Sequence, residues 1–219
     1  MSVSSYSKSE SDRERWNRKH HESLLGSRDL VSSAPDALLD EAFAKYVLPQ
    51  FPNGGTALDL AGGSGRHAIW LAKRGWDVTL IDVSDVGVEQ ARQNAGPLAS
   101  NIRFVVDDLT HFRAPQKLSG VQYDLAIVFY YLEREIFPEI LSALRPGGLL
   151  IYKTHLRPSP SDLPSDASPQ TNLTQRPKNP AYLLAPGELL RLVPGMRIMH
   201  YREDLASRPT AGLVAEKAF

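Results

Sequence analysis

The chain has 219 residues, 42% of them apolar, which suits one sizeable core with an extension or two. Lys plus Arg is 25 and Asp plus Glu is 25, so the formal charge is zero, and no long-range attraction to DNA or RNA is built in. Cysteine is absent, which excludes disulfides, Cys-ligated zinc, iron–sulfur clusters and thiolate catalysis. No apolar run approaches the roughly 18 residues of a membrane span. The N-terminus is Ser-rich and then charged, without the apolar stretch of a signal peptide. A cytoplasmic chain is expected, monomeric or homodimeric, with no membrane partner.

Residues 1–33 read as an N-terminal extension, flexible at first and helical around Trp16; residues 34–219 read as the main domain. Ser33-Ala34-Pro35-Asp36 predicts a helix start, and Leu38, Leu39, Ala42, Phe43, Tyr46 and Val47 recur at helical spacing until Pro49 and Pro52. Thr56 to Leu60 is a short apolar strand. A glycine cluster follows, then a helix through Ala68, Leu71 and Ala72 closed by Gly75. Asp77 to Ile81 predicts a second strand ending at Asp82, and Ser84 caps a helix through Val88, Ala91 and Ala95. Ile102 to Val106 and Tyr123 to Tyr130 predict the third and fourth strands, and Ile136 to Leu144 a helix. Arg145-Pro146-Gly147-Gly148 stops that helix ahead of a fifth strand, Leu149 to Lys153. Residues 156–180 hold six prolines and read as a long loop, either a lid over a site or a surface excursion. A short helix, Pro186 to Leu192, and two strands, Met196 to Tyr201 and Gly212 to Lys217, complete the chain. Alternating strands and helices imply an α/β, doubly wound sheet.

The chemistry concentrates at Ala57-Leu58-Asp59-Leu60-Ala61-Gly62-Gly63-Ser64-Gly65-Arg66-His67, where a strand ending in an acid meets a glycine-rich turn that feeds a helix. Such a turn lets backbone approach a ligand closely, and the helix N-terminus offers free N–H groups to a carboxylate or a phosphate. Gly63 to Ala68 also fits the GxGxxA form of a dinucleotide fingerprint, and Asp82 stands where an acid can hold ribose hydroxyls in either case. Three features separate the readings: Asp59 before the glycines, Asp107-Asp108 at the end of strand three, and Arg145 to Gly148 before strand five with a strand pair after it.

Leu58 to Gly65 resembles motif I of class I S-adenosylmethionine-dependent methyltransferases, usually Asp-x-Gly-x-Gly-x-Gly, with Ala61 in place of the first glycine. The resemblance covers the chain from Trp16 onward. It implies a Rossmann-like, doubly wound, seven-stranded and mostly parallel sheet with an antiparallel last strand, and S-adenosyl-L-methionine as cofactor. By that resemblance Asp59 and the backbone of Ala61, Gly62, Gly63 and Gly65 hold the methionine end. Asp82 takes the ribose, Val83 lies against the adenine, and Asp108 with Leu109 addresses the adenine edge, Asp107 being the alternative. Within the family the chain is similar to the tellurite-resistance and thiopurine-type group. The carriers are Arg13-Glu14-Arg15-Trp16-Asn17, Gly65 to Ala72, and Asn179 to Leu190 leading to His200-Tyr201-Arg202-Glu203-Asp204. That implies methyl transfer to a small molecule such as a thiol or a selenium or tellurium species. The alternatives are an NAD-dependent oxidoreductase, a methyltransferase acting on RNA or protein, and a non-catalytic binding module. Nucleic acid is not favoured as a partner, on charge.

The ligand crevice of a doubly wound sheet lies outside the carboxyl ends of its strands. Phe129, Tyr130 and Tyr131, at the end of strand four, therefore face the substrate; the two tyrosines form a wall that can also meet the sulfonium, or one of them is core. Arg134 is a candidate to hold an anionic substrate, or a solvated charge at a helix start. His155, on the same rim, is the general-base candidate, or a surface residue where the loop begins. Trp16 folds over the cofactor or packs on the sheet edge. His67 flanks the pocket. His20 and His21 are adjacent and face different sides of a helix, so no metal site is read there.

Overall fold

The computed structural model describes residues 4–25, 34–111, 120–157, 179–205 and 208–218. Helix α1 (Ser4–Leu25) precedes α2 (Ala37–Ala42), a π-helical turn (Phe43–Val47) and α3 (Leu48–Gln50). Then come β1 (Thr56–Leu60), α4 (Arg66–Ala72), β2 (Asp77–Asp82), α5 (Asp85–Ala95), β3 (Ile102–Val106) and β4 (Tyr123–Phe129). The chain continues with α6 (Phe137–Ala143), β5 (Leu144–His155), α7 (Glu188–Leu192), β6 (Met196–Asp204) and β7 (Thr210–Lys217). The seven strands form one sheet in the order β3-β2-β1-β4-β5-β7-β6. The first five are parallel; β7 runs antiparallel to both β5 and β6.

Sequence periodicity explains the layering. Successive residues of a strand point to opposite faces, and a parallel sheet buries both. Leu58, Leu60, Ala126, Val128, Leu150 and Tyr152 thus enter one core with Phe137 and Ile140 of α6 and Leu189 of α7. Ala57, Leu125, Ile127, Phe129, Leu149 and Ile151 enter the other, with Leu39 of α2, Ala68 and Leu71 of α4 and Val88 and Ala91 of α5. All seven residues of β4 are buried, which accounts for its unbroken apolar run.

The departures from expectation have local causes. Asp36 is the N-cap of α2, its carboxylate accepting from the Leu38 N–H, with Pro35 ahead of the cap. Pro49 does not end the helix: Leu48 N–H reaches back to Phe43 O, and that wider turn makes room for the Pro49 ring. β5 begins at Leu144, which pairs with Tyr123 before the register shifts; the Arg145 to Gly148 stretch is an irregularity inside the strand. The predicted helix from Ile136 starts as a 3₁₀ turn, Arg134–Ile136, before α6. β4 stops at Phe129 because Tyr130 turns to φ 60°. β6 runs on to Asp204, past the expected Tyr201. α1 starts at Ser4, inside the stretch read as flexible. Most of the proline-rich loop lies outside the described residues.

Candidate active site

A cavity of about 220 Å³ opens outside the carboxyl ends of the central strands. Ala61, Gly63, Asp82 and Val83 line it at β1 and β2; Asp108, Leu109 and Thr110 follow β3; Phe129, Tyr130 and Tyr131 stand at the end of β4. Asp12, Trp16 and His20 of α1 complete the wall. These three are spaced four apart and so share one helix face. The helix is docked by polar contacts to the start of α5. Arg13 Nε donates to Val83 O (3.2 Å) and Asn17 Nδ2 to Asp85 Oδ1 (2.8 Å), while Ser84 Oγ donates to Asn17 Oδ1 (2.6 Å) and Gln90 Nε2 to His20 O (3.2 Å). Gly87 permits the approach: a Cβ there would lie 2.8 Å from His20 Nε2.

The glycine turn is shaped by backbone. Ala61 sits at φ 56°, the left-handed region that glycine enters freely and alanine only at a cost. Gly65 caps α4 at φ 83°, and a Cβ on it would meet Ala91 Cβ at 2.8 Å. Gly65→Ala therefore suffers both backbone strain and overpacking, and is expected to lower unfolding free energy by about 2–3 kcal/mol in a urea titration.

Asp82 is 8% exposed. Its Oδ2 accepts from Gly63 N–H and its Oδ1 from Ser84 N–H, both at 2.8 Å. Each oxygen keeps a lone pair for a ligand hydroxyl. Burial raises its pKa against those two donors. Asp59 lies off the cavity, 1% exposed beneath Gly62, where an added Cβ would meet Leu80 Cγ at 2.7 Å and Asp59 Oδ2 at 3.0 Å. Burial lifts the Asp59 carboxyl to about 8, the Ala68 N–H opposing and the Asp82 charge adding to the rise. Asp108 Oδ1 accepts from Thr110 N–H (2.9 Å) and Thr110 Oγ1 (2.8 Å). Asp108 is on the cavity wall; Asp107, whose N–H donates to Asp82 O, is not.

Tyr130 and Tyr131 both line the cavity. Burial raises both phenol pKa values. Tyr130 Oη donates to Asp36 Oδ2 at 2.7 Å, and Lys153 Nζ reaches the two Asp36 oxygens at 2.9 and 3.0 Å. Burial works against the Asp36 carboxylate, but the Lys153 and Tyr130 donors outweigh it and hold its pKa below the usual value. Asp36 N–H donates to His67 Nε2 at 3.2 Å, and burial depresses His67 to about 4, so its ring is neutral.

Gly62, Gly65, Arg134 and His155 do not line the cavity. The Arg134 guanidinium is engaged by Glu188 at 2.6 and 3.1 Å and by the carbonyls of Ala181 and Leu183. It braces the segment before α7. The His155 ring packs against Tyr130 at a tilt of 41°, ring centroids 5.2 Å apart. Phe129 lines the cavity as expected; sequence reasoning did not single out Asp12, His20 or Thr110 as lining residues, nor Asp36 and Lys153 behind them. The four-residue spacing from Asp12 to Trp16 to His20 is the one signal that marks a shared face in advance.

Residues 57–148 match the family model described as "Methyltransferase domain". The putative methyltransferase YqeM of Bacillus subtilis is 28% identical over 138 residues, 58% of this chain and 51% of that protein. The tRNA 5-carboxymethoxyuridine methyltransferase of Escherichia coli is 28% identical over 128 residues, 54% of this chain and 48% of that protein. The chain thus spans about half the length of these curated relatives. Among solved structures, TehB from Haemophilus influenzae superposes with a TM-score of 0.63 at 19% identity, covering 87% of this chain and 64% of that one. Magnesium protoporphyrin IX methyltransferase from Synechocystis with bound S-adenosylhomocysteine gives 0.66 at 18% identity, covering 96% and 99%. Residues 57–148 thus resemble a methyltransferase domain, and the seven-stranded sheet is a fold shared with these solved structures.

Proposed function

We propose that the chain transfers a methyl group from S-adenosylmethionine to a small-molecule acceptor, in the manner of the tellurite-resistance and thiopurine-type enzymes. The observation that carries this is the α1-walled cavity, with the buried Asp82 carboxylate at one end and two tyrosines at the other. The cavity fits the cofactor chemically, since Asp82 offers free lone pairs among apolar walls and the Ala61–Gly63 turn brings bare backbone to the surface. Asp82 takes the ribose hydroxyls, Val83 and Leu109 flank the adenine, Asp108 accepts from its edge, and Trp16 covers it. The backbone from Ala61 to Gly65, with Asp59 beneath, takes the methionine end.

When bound, S-adenosylmethionine supplies an electrophilic methyl on a cationic sulfur. The protein's share of such an in-line displacement is alignment and exclusion of water. Tyr130 and Tyr131 wall the acceptor end, and α1 closes the cavity from the other side. His155 orients Tyr130 by packing its ring against it. A thiolate or a reduced selenium or tellurium species is a strong nucleophile that needs little base assistance, which agrees with a cavity whose histidine, His20, stands at the Gly63 and Gly87 end. The helices described include none long and apolar enough to cross a membrane, and a cytoplasmic site of action suits this chemistry.

Incubation with methyl-labelled S-adenosylmethionine and, in parallel, thiophenols, selenite, tellurite and bulk tRNA tests the acceptor. Label in volatile or organic-soluble products is expected. Label confined to tRNA would overturn the small-molecule reading and point to the acceptor class of the Escherichia coli relative.

A further inference from the structure

Tyr130 is held in a conformation that side chains rarely adopt, φ 60°, and such outliers persist where the surroundings over-determine them. Three contacts do so here. Tyr130 N–H donates to Lys153 O at 2.7 Å. Its hydroxyl donates to Asp36 Oδ2 at 2.7 Å, and its ring packs at a tilt of 41° against His155. Asp36 is itself fixed, 9% exposed, by Lys153 Nζ on both oxygens and by its own N–H on His67 Nε2. A paired, nearly buried carboxylate is a costly anchor for a tyrosine unless the ring's place matters.

The register shows what that place is. Leu60 of β1 pairs with Val128 of β4, so the chain leaves the two strands side by side, through Ala61 and through Phe129-Tyr130. Tyr130 stands across from the glycine turn, on the side away from Asp82 and Asp108. On the cofactor reading above, on which this inference rests, that is where the sulfonium lies. An aromatic ring attracts a desolvated cation more strongly than it does a neutral thioether.

We propose that Asp36 and Lys153 are positioning residues of the cofactor site. Acting through the Tyr130 hydroxyl, they hold its ring beside the sulfonium and make the cavity prefer the cationic cofactor to its neutral product, S-adenosylhomocysteine. The pairing has a second use. Lys153 Nζ is 5.8 Å from the Tyr130 ring centroid, and Asp36 neutralises a charge that would otherwise repel the sulfonium.

Calorimetric titration of the full chain with S-adenosylmethionine and with S-adenosylhomocysteine tests this, in the wild type, Asp36→Asn, Tyr130→Phe and the double variant Asp36→Asn/Lys153→Met. Each variant is expected to bind S-adenosylmethionine about 3- to 30-fold more weakly and S-adenosylhomocysteine within about twofold of the wild type. A purely structural role moves both ligands together, and that result overturns the proposal, as does an unshifted ratio. Full recovery in the double variant also overturns it, by reducing the effect to charge repulsion from Lys153. A wild type that binds neither ligand overturns the cofactor reading and this inference with it, whereas normal wild-type binding with an unshifted ratio overturns the inference alone.

Discussion

Replacing Asp82 with alanine is expected to weaken S-adenosylhomocysteine binding by about 100-fold or more. The ribose diol can offer one hydrogen bond to each carboxylate oxygen, and bonds to a charged group contribute about 1.5–3 kcal/mol each. Even the low end, about 3 kcal/mol for two, is more than a hundredfold. Removal of the carboxylate also frees the N–H groups of Gly63 and Ser84, which loosens the turn that faces the cofactor. The variant is expected to stay folded, since burial already raises the Asp82 pKa and its charge is not a net source of stability. Titration calorimetry with a urea midpoint as the folding control checks both points. Unchanged affinity would move the ribose to another part of the cavity.

The second large effect is on stability. The Asp59 carboxyl has its pKa lifted by burial from the usual 3.8 to about 8. The folded chain therefore keeps a proton that the unfolded chain has lost, and stability falls as pH rises between those values. His67 works in the opposite sense: with its pKa depressed by burial from 6.5 to about 4, it refuses a proton that the unfolded chain accepts, and stability falls as pH drops through that range. The two oppose each other in acid. Above pH of about 6.5 the unfolded His67 also sheds its proton and its contribution fades, so Asp59 sets the sign up to pH of about 8, with a loss of up to about 1.4 kcal/mol per pH unit. Asp59→Asn keeps an oxygen for the Ala68 N–H without the ionisation. In thermal melts across that window the wild type is expected to fall with rising pH and the variant to stay nearly level. A wild type as level as the variant would mean that Asp59 titrates in the ordinary carboxylate range.

What the sequence discloses is what is local along the chain. The run from β1 through β3 carries its own punctuation: apolar strands, Asp59 before the glycines, Ser84 as a helix cap, and an acid at each strand end. The mostly parallel sheet follows from it, and so does the expectation that Asp82 and Asp108 share one crevice; the strand order comes from the structure. Contacts between distant segments have no such signature. Asp36 and Tyr130 are 94 positions apart and Asp36 and Lys153 are 117 apart, so neither the anchor nor the left-handed turn at Tyr130 is visible beforehand. Arg134 reads as a free cation until Glu188, 54 positions on, is found against it. The early start of β5 is hidden for another reason: Arg145-Pro146-Gly147-Gly148 carries every mark of a turn, yet pairing of Leu144 with Tyr123 draws it into the strand.

The sheet itself argues against the dinucleotide alternative, because β7 enters antiparallel between β5 and β6 where the dinucleotide fold continues with a parallel strand. The direct test of the cofactor is a thermal shift with S-adenosylhomocysteine and with NAD, each at about 100 times its dissociation constant or at the solubility limit. Saturation at that level adds about 2.7 kcal/mol, which for a chain of this length raises Tm by roughly 5–10 °C. A shift of that size with S-adenosylhomocysteine and none with NAD is the predicted result. A shift with NAD alone would contradict the account.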